Sequence, residues 1–375
     1  MSVEICQVAL GSNLRDFLDV VDLIYKDDPN YVRPLDFDVK GRLNPKHPFF
    51  DHGEAAIFTA YQQGRCVGRC TAQIDRGHLQ RYGDDCGFFG FFDTIHDQEV
   101  VTALMERACH WLADRKMKRI RGPFCLSVNE ELGCLVDGFD TPAYFMMPHH
   151  RDYQGGLIEG AGFAKCKDLF AWRYHTGKLP ERAVRAHEQV KNNPDIKLRT
   201  VDMKNVERDI RIVVDVYNDA WQDNWGFVPL TERELAKMAA DMKLVLVPEL
   251  TQIIELCGEP VAVALMLPNL NEMLADLHGK IFPTGLLKLL WRMKVRGPRS
   301  ARVIVLGIRS KLRYVRKYGA LSTFMYVELH RAAERLNIFD GELSWTLEDN
   351  TAVNLGIQFM GGKKYKTYRI YEREI

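Results

Sequence analysis

The chain has 375 residues, 46% hydrophobic and 27% charged, with 51 Lys and Arg against 50 Asp and Glu for a formal net charge of +1. Such a length exceeds one ordinary domain and suits two with full cores, and the apolar fraction excludes a disordered chain. Near-neutrality gives no bulk attraction to nucleic acid or an anionic membrane, so charge-based recognition has to be local. Met1 to Gln7 carries no basic start with an apolar run behind it, and no uninterrupted apolar stretch approaches a membrane span; a cytoplasmic location is expected. Nine cysteines are scattered through the expected helices and strands, and Cys66-x-x-x-Cys70 is not a zinc spacing, so reduced thiols and no metal are expected.

In chain order, Ala55 to Ala72 reads as strand, Gln63-Gly64 turn and strand. Gly87 to Phe92 is a further strand, followed by Asp93 to Asp97 and a helix from Gln98 to Arg115. An insertion then contains Gly122-Pro123-Phe124 and Ser127 to Gly133, where Glu130 and Glu131 either receive a cationic amine or open a helix beside Asn129. Cys125 and Cys134 read as buried structural thiols rather than nucleophiles. Met146-Met147-Pro148 leads into His149-His150-Arg151-Asp152-Tyr153, a polar cluster without further ligands at metal spacing. His149 is the candidate there for a substrate contact.

Gly177-Lys178-Leu179-Pro180 and Asn192-Asn193-Pro194 punctuate a charged segment with room for one helix, which predicts domains 1–178 and 196–375 joined by a linker at 179–195. Leu198 to Val201 starts a strand, and Asn205 to Ala220 carries Ile210, Val213, Val214 and Tyr217 at helical spacing. Tyr217 to Pro229 is dense in aromatics and amides. Trp221, Trp225 and Phe227 can line an apolar slot to which Asn218 and Asn224 add oriented amides, or plug a loop with the amides capping backbone. Gln252 to Leu267 reads as strand, Gly258-Glu259 turn and strand. Within Gly279 to Arg296, Leu286, Leu287, Leu289, Leu290, Trp291, Met293 and Val295 alternate with Lys288, Arg292, Lys294 and Arg296. That composition suits a membrane interface, or a core helix with snorkelling cations.

Ala301 to Ile308 is a β-branched, apolar strand; Arg309 to Gly319 is a loop with five cations; Leu321 to Leu336 is a helix. A strand emptying through a basic loop into a helix N-terminus offers backbone N–H groups, the positive dipole end and cationic side chains to a pyrophosphate. Gly341 to Asn350 is the next strand, and Thr351 to Met360 a short helix stopped by Gly361-Gly362, before an aromatic strand from Tyr365 to Tyr371. Leu157 to Tyr174 repeats the pattern of Leu355 to Tyr371, with Lys165 and Lys167 matching Lys364 and Lys366, and each half has an upstream hairpin. The first half lacks the basic Gly loop and reads as a non-catalytic or acceptor-binding copy.

This order of elements resembles the acyl-CoA-binding half of GNAT N-acyltransferases. Arg316-Lys317-Tyr318-Gly319-Ala320-Leu321 is the nearest match to the family's Arg/Gln-x-x-Gly-x-Gly/Ala loop, with Leu321 where the second small residue belongs. Asn350, the Gly361-Gly362 pair and the last aromatic strand fill the family's places in order. Asn224-Trp225-Gly226-Phe227-Val228-Pro229 is similar to the Asn-Trp-Gly-Phe-x-Pro motif of bacterial tandem-GNAT proteins, some of which resemble the bacterial ceramide synthases.

The resemblance implies an α/β (α+β) fold of two fused GNAT-like domains, each a mixed, mostly antiparallel sheet flanked by helices. It implies acyl-CoA as co-substrate, held by Leu306, Gly307, Ile308, Arg313, Arg316, Lys317, Gly319, Ala320 and Asn350. The implied activity is acyl transfer to a primary amine. Asn218, Trp221, Asn224, Trp225 and His149 stand on the acceptor side, and a long-chain sphingoid base with a peripheral membrane contact through Gly285 to Arg296 would suit the amphipathic stretch. Aminolysis of a thioester needs a base, a polarised carbonyl and a proton for the thiolate. For the base, Glu348, nearest the expected cleft end, and Glu342 stand on the neighbouring strand, His330 on the helix and Glu255 on the hairpin. The short helix, which carries the tyrosine in the family, has none, so Tyr365, just past it, and Tyr318, in the loop, are the candidate donors. Two other readings are an acetyltransferase acting on a small soluble amine and a non-catalytic acyl-CoA sensor, which the degenerate loop would suit.

Overall fold

The computed structural model describes residues 2–313 and 315–375, without the side chain of Lys294. Met1 and the Lys294 cation of the expected amphipathic helix therefore lie outside the described residues. Two compact units emerge, one of residues 1–169, 273–291 and 366–375, the other of 170–272 and 292–365. The division is not the sequential one expected from a linker at 179–195, where a helix, Glu181–Lys191, stands instead within the second unit.

In the first unit β1 (Glu4–Val8), β2 (Gly53–Gln62), β3 (Arg65–Asp75) and β4 (Cys86–Thr94) pair antiparallel in turn, and β5 (Arg119–Gly122) lies parallel to β4. The β2–β3 turn is the expected Gln63-Gly64, both at positive φ, as a two-residue hairpin matching strand twist requires. Helix Gln98–Ala113 starts where the Asp97 side chain accepts from the Glu99 amide, and buries Val100, Val101, Leu104, Met105 and Ala108 against Phe58 and Phe89. Beyond their three-residue pairing, β4 and β5 stay closed. The Phe124 amide donates to Phe89 O at 2.7 Å, Gln73 Nε2 donates to Phe124 O at 2.6 Å, and a Cβ on Gly90 would lie 1.6 Å from that same oxygen. β6 (Cys134–Asp137) completes this part of the chain.

The second unit begins within β7 (Ala164–His175) and continues through β8 (Ile196–Thr200), β9 (Thr251–Leu256), β10 (Glu259–Pro268), β11 (Ser300–Ile308) and β12 (Asp340–Leu347). Strands β8 to β11 are antiparallel neighbours and β12 runs parallel to β11. Alternation along β10 sends Val263 to helix Val206–Trp221 and Ala262, Ala264 and Met266 to helix Leu321–Arg335, so the sheet is covered on both faces. Asp209, fully buried on the first helix, accepts from Arg199 Nη1 at 2.7 Å and from the Asp202 amide at 2.8 Å, tying the helix to β8.

The β11–β12 ladder is short: Ser300 to Val303 pair with Asp340 to Leu343, and the rest of each strand runs on unpaired to the other. Opposite the Leu265/Met266 step, Ile304 is an extra residue in β11, a bulge that bends the strand at the point where the ladder ends. The last strand, β13 (Lys363–Glu374), explains the non-sequential division. Its residues 367–369 pair with β6 and 371–374 with β5, so the C-terminus builds the first unit's sheet.

His150 in the first unit is fully enclosed, its Nδ1 accepting from the Leu135 amide at 3.1 Å, and burial pushes its pKa down to about 4. The folded ring stays neutral while the unfolded chain takes a proton near pH 6.5, so this contribution is present above about 6.5 and is lost as pH falls towards 4, about 3 kcal/mol in all. Urea unfolding between pH 7.5 and 4.5 should show that fall, and His150→Asn should flatten it. An unchanged slope in the variant would assign the acid sensitivity elsewhere.

Candidate active site

At the mouth of the β11–β12 divergence, Arg302 and Glu342 stand opposite each other in the ladder, and Ser344 follows on the same strand face. Glu342 is fully buried. Its carboxylate accepts from Ser344 Oγ at 2.5 Å and from the Tyr365 hydroxyl, and lies 3.7 Å from Arg302 Nε. Arg302 Nε in turn donates to Ser344 Oγ at 2.7 Å, and Nη2 to Ser344 O at 3.2 Å. Two of the residues expected to do chemistry, Glu342 and Tyr365, thus share a hydrogen bond in a low-dielectric setting, where a carboxylate and a phenol can exchange a proton. Glu348 is half-buried in the turn after β12 and does not line the neighbouring cavity.

That cavity, about 50 Å³, lies under helix Leu321–Arg335 and is lined chiefly by Met266, Val303, Leu329, Ala333, Leu343 and Met360. Glu342 and His330 are among the polar residues on its wall. The Tyr174 hydroxyl and His330 Nδ1 are 2.6 Å apart, His330 Nε2 lies 3.2 Å from Glu334, and burial lowers the His330 pKa.

The residues expected to hold acyl-CoA fall into two groups. Leu306 and Ile308 pack on the helix Leu321–Arg335 side, while a Cβ on Gly307 would meet Ala220 Cβ at 3.0 Å, so glycine lets helix Val206–Trp221 come close. Arg313 donates to the Ala220 carbonyl and, at 3.2 Å, to Ile308 O, which commits it to the C-terminal end of that helix. Arg309 and Lys311 are engaged by Asp215 and Glu259 at 2.5 and 2.6 Å. Arg316, Lys317 and Gly319 are exposed, and Ala320 leads into helix Leu321–Arg335, whose N-terminus has no side-chain cap. Two exposed cations and uncapped N–H groups therefore converge at this end of the loop. Asn350 caps helix Thr351–Phe359, its Oδ1 accepting from the Val353 amide at 3.3 Å, a local role that accounts for its place in the sequence.

Of the acceptor-side candidates, Trp221 meets Trp345 edge to face at 5.4 Å and Tyr217 at 5.1 Å, and Tyr217 meets Phe227 at 5.8 Å. Burial pushes the Tyr217 phenol up. Asn218 Oδ1, on the same helix, is buried with no hydrogen-bond partner. The Asn224 amide closes a turn onto Trp221 O at 2.8 Å, and half-buried Trp225 follows. Trp345 completes the aromatic cluster and escapes a reading along the chain, because it stands on β12, far in sequence from the motif around Trp221, and strand alternation is its only local signal.

His149 belongs to the first unit. Its Nε2 lies 2.9 Å from Asp28, its Nδ1 is buried and unpartnered, and burial lowers its pKa. Glu130 and Glu131 face Arg42 at 3.9 and 3.2 Å. Burial raises the Cys125 thiol to about 12, which removes it as a nucleophile. Among the described residues His78, Asp84 and Cys86 alone bring metal-ligating atoms together; Arg121 3.7 Å from Asp84 and the thiol pushed up to about 12 by burial both oppose a cation there.

No family model matches the chain. It is 39% identical over 378 residues to a bacterial ceramide synthase of Caulobacter vibrioides (strain NA1000 / CB15N), covering 100% of this chain and 98% of that protein. It is 37% identical over 366 residues to Protein YghO of Escherichia coli (strain K12), covering 97% and 93%. Among solved structures, a tandem GNAT protein from the clavulanic acid biosynthesis pathway superposes with a TM-score of 0.58 at 11% identity, covering 100% of this chain and 98% of that one. A GCN5-related N-acetyltransferase from Sphaerobacter thermophilus gives 0.55 at 12% identity, covering 99% and 95%. These structures share the fold.

Removing the cation opposite Glu342 should be costly. Arg302→Met leaves a buried carboxylate without its charge partner, an expected loss of about 3–5 kcal/mol in guanidinium unfolding. A loss below about 1 kcal/mol would mean that the carboxylate does not depend on Arg302.

Proposed function

Since the chain belongs to the family of tandem GNAT-fold N-acyltransferases that includes the bacterial ceramide synthase, we propose that it moves a fatty acyl group from acyl-CoA to a long-chain primary amine of the sphingoid type. The observation that carries the reading is the Glu342–Tyr365 pair beside the strand divergence in the second unit. The first unit offers no such opening, since Phe124 closes onto β4 there. Acyl-CoA is therefore assigned to the second unit.

In this reading the phosphates meet Arg316, Lys317 and the N-terminus of helix Leu321–Arg335, and the thioester lies along the unpaired edge of Leu306, Gly307 and Ile308, whose backbone polarises the carbonyl. The amine nitrogen attacks the thioester carbon as Glu342 takes its proton. The C–S bond breaks on collapse of the tetrahedral intermediate, and the thiolate takes a proton from Tyr365, which recovers one from Glu342 through their hydrogen bond. Glu342 replaces Glu348 as the assigned base because of that bond.

A lipidic acceptor is supported by the surface of the first unit. Leu287 is 70% exposed, Trp291 58% and Phe282 77%, on and beside helix Gly285–Trp291, with Lys288 among them. Apolar side chains bared beside cations suit a bilayer interface. No helix among the described residues is long and apolar enough to cross a membrane, so the contact would be peripheral, on the inner face.

Purified protein with palmitoyl-CoA or acetyl-CoA, each against a sphingoid base and a short polyamine, should release free CoA thiol only from the long-chain pair. Release from acetyl-CoA and polyamine alone would overturn the lipid reading, and binding without release in every pairing would make the protein a sensor. Glu342→Gln should lower kcat by about 100-fold or more with acyl-CoA affinity within about threefold; equal loss of both would make Glu342 structural. Leu287→Glu with Trp291→Glu should abolish co-sedimentation with vesicles of anionic lipid, and undiminished co-sedimentation would remove this face from the proposal.

A further inference from the structure

Along β11 a ligand would meet two chemically opposite ends. The C-terminal end empties into the loop with exposed Arg316 and Lys317, and the N-terminal end of the unpaired stretch stops at Val303, which lines the cavity under helix Leu321–Arg335. Five residues, 304–308, lie between, about 16 Å at the rise of an extended strand. The cavity wall is apolar where a tail would run. Tyr326, Leu329, His330 and Ala333 share one helix face at i, i+3, i+4 and i+7, and Leu343 and Val303, opposite each other in the last rung of the ladder, form the floor. Met266 and Met360 supply flexible thioethers that can shift to admit a chain.

We infer that this cavity receives the alkyl tail of the acyl donor and sets its chain length. The inference rests on the acyl-CoA reading above, and the order of features along β11 selects the donor's tail over the acceptor's. Cations for the phosphates at the loop end, the thioester along Leu306 to Ile308 and an apolar cavity reached at Val303 follow the sequence of parts in an acyl-CoA. Ala333 sits where a larger side chain would fill the space, and Met360 where a smaller one would extend it.

The test measures binding of CoA thioethers, which cannot be turned over, in a saturated series from acetyl to stearoyl length. Affinity should rise about fourfold per methylene until the cavity is filled. Ala333→Phe should lower the long-to-short affinity ratio by about tenfold or more, and Met360→Ala should move the plateau to longer chains, so a misfolded first variant leaves the second as the test. Affinity independent of length, or ratios unmoved in both variants, overturns the tail assignment and leaves acyl transfer standing. Length-dependent binding with no CoA thiol released from the natural thioesters upholds the pocket and overturns the reaction. Failure to bind any thioether overturns the acyl-CoA reading and this assignment together.

Discussion

The functional geometry depends on the early end of the β11–β12 ladder. Parallel strands bond along their whole length unless something turns one of them away, and here the extra residue at Ile304 does so just after Val303 pairs with Leu343. The bulge also resets the alternation. Val303 and Leu306 face helix Leu321–Arg335, while Val305 and Gly307 face helix Val206–Trp221. One irregularity thus opens an edge of β11 that β12 does not pair, floors the cavity and brings Gly307 against Ala220.

A buried carboxylate at that opening would be intolerable alone. Glu342 survives full burial because Arg302, Ser344 and Tyr365 all address it, a set drawn from three strands. Such a network holds its members in one arrangement. It also explains why the carboxylate nearest the strand end by sequence, Glu348, is not the one the fold encloses.

The two units treat the same strand pair differently. In the first, Phe124 donates to Phe89 of β4 and accepts from Gln73 of β3, and Gly90 admits its carbonyl, so the strands cannot part. In the second, the corresponding strands diverge over a cavity. Fusion of one open and one closed unit is consistent with the repeat seen in the sequence, in which only the later half carries the basic glycine loop.

Much was legible in the chain itself. Hairpin turns, the helix starts at Gln98 and Thr351, the strand from Ala301 and the stop at Gly361 follow from local rules of alternation, capping and positive φ, and each lies within a few residues of its observed place. Glu342 and Tyr365 were recognisable as candidates from residue type and strand position. Their hydrogen bond was not, nor was the commitment of Arg313 to the Ala220 carbonyl or the capping role of Asn350, because these depend on which side chains meet after the strands assemble. The membership of β13 in the first unit was equally hidden, since strand pairing partners hundreds of residues apart carry no mark in either segment. Sequence determined the elements, because periodicity and caps act within a few residues; tertiary structure alone decided which cations stay exposed, which carboxylate is enclosed and where the sheet opens, because those are set by contacts between distant parts of the chain.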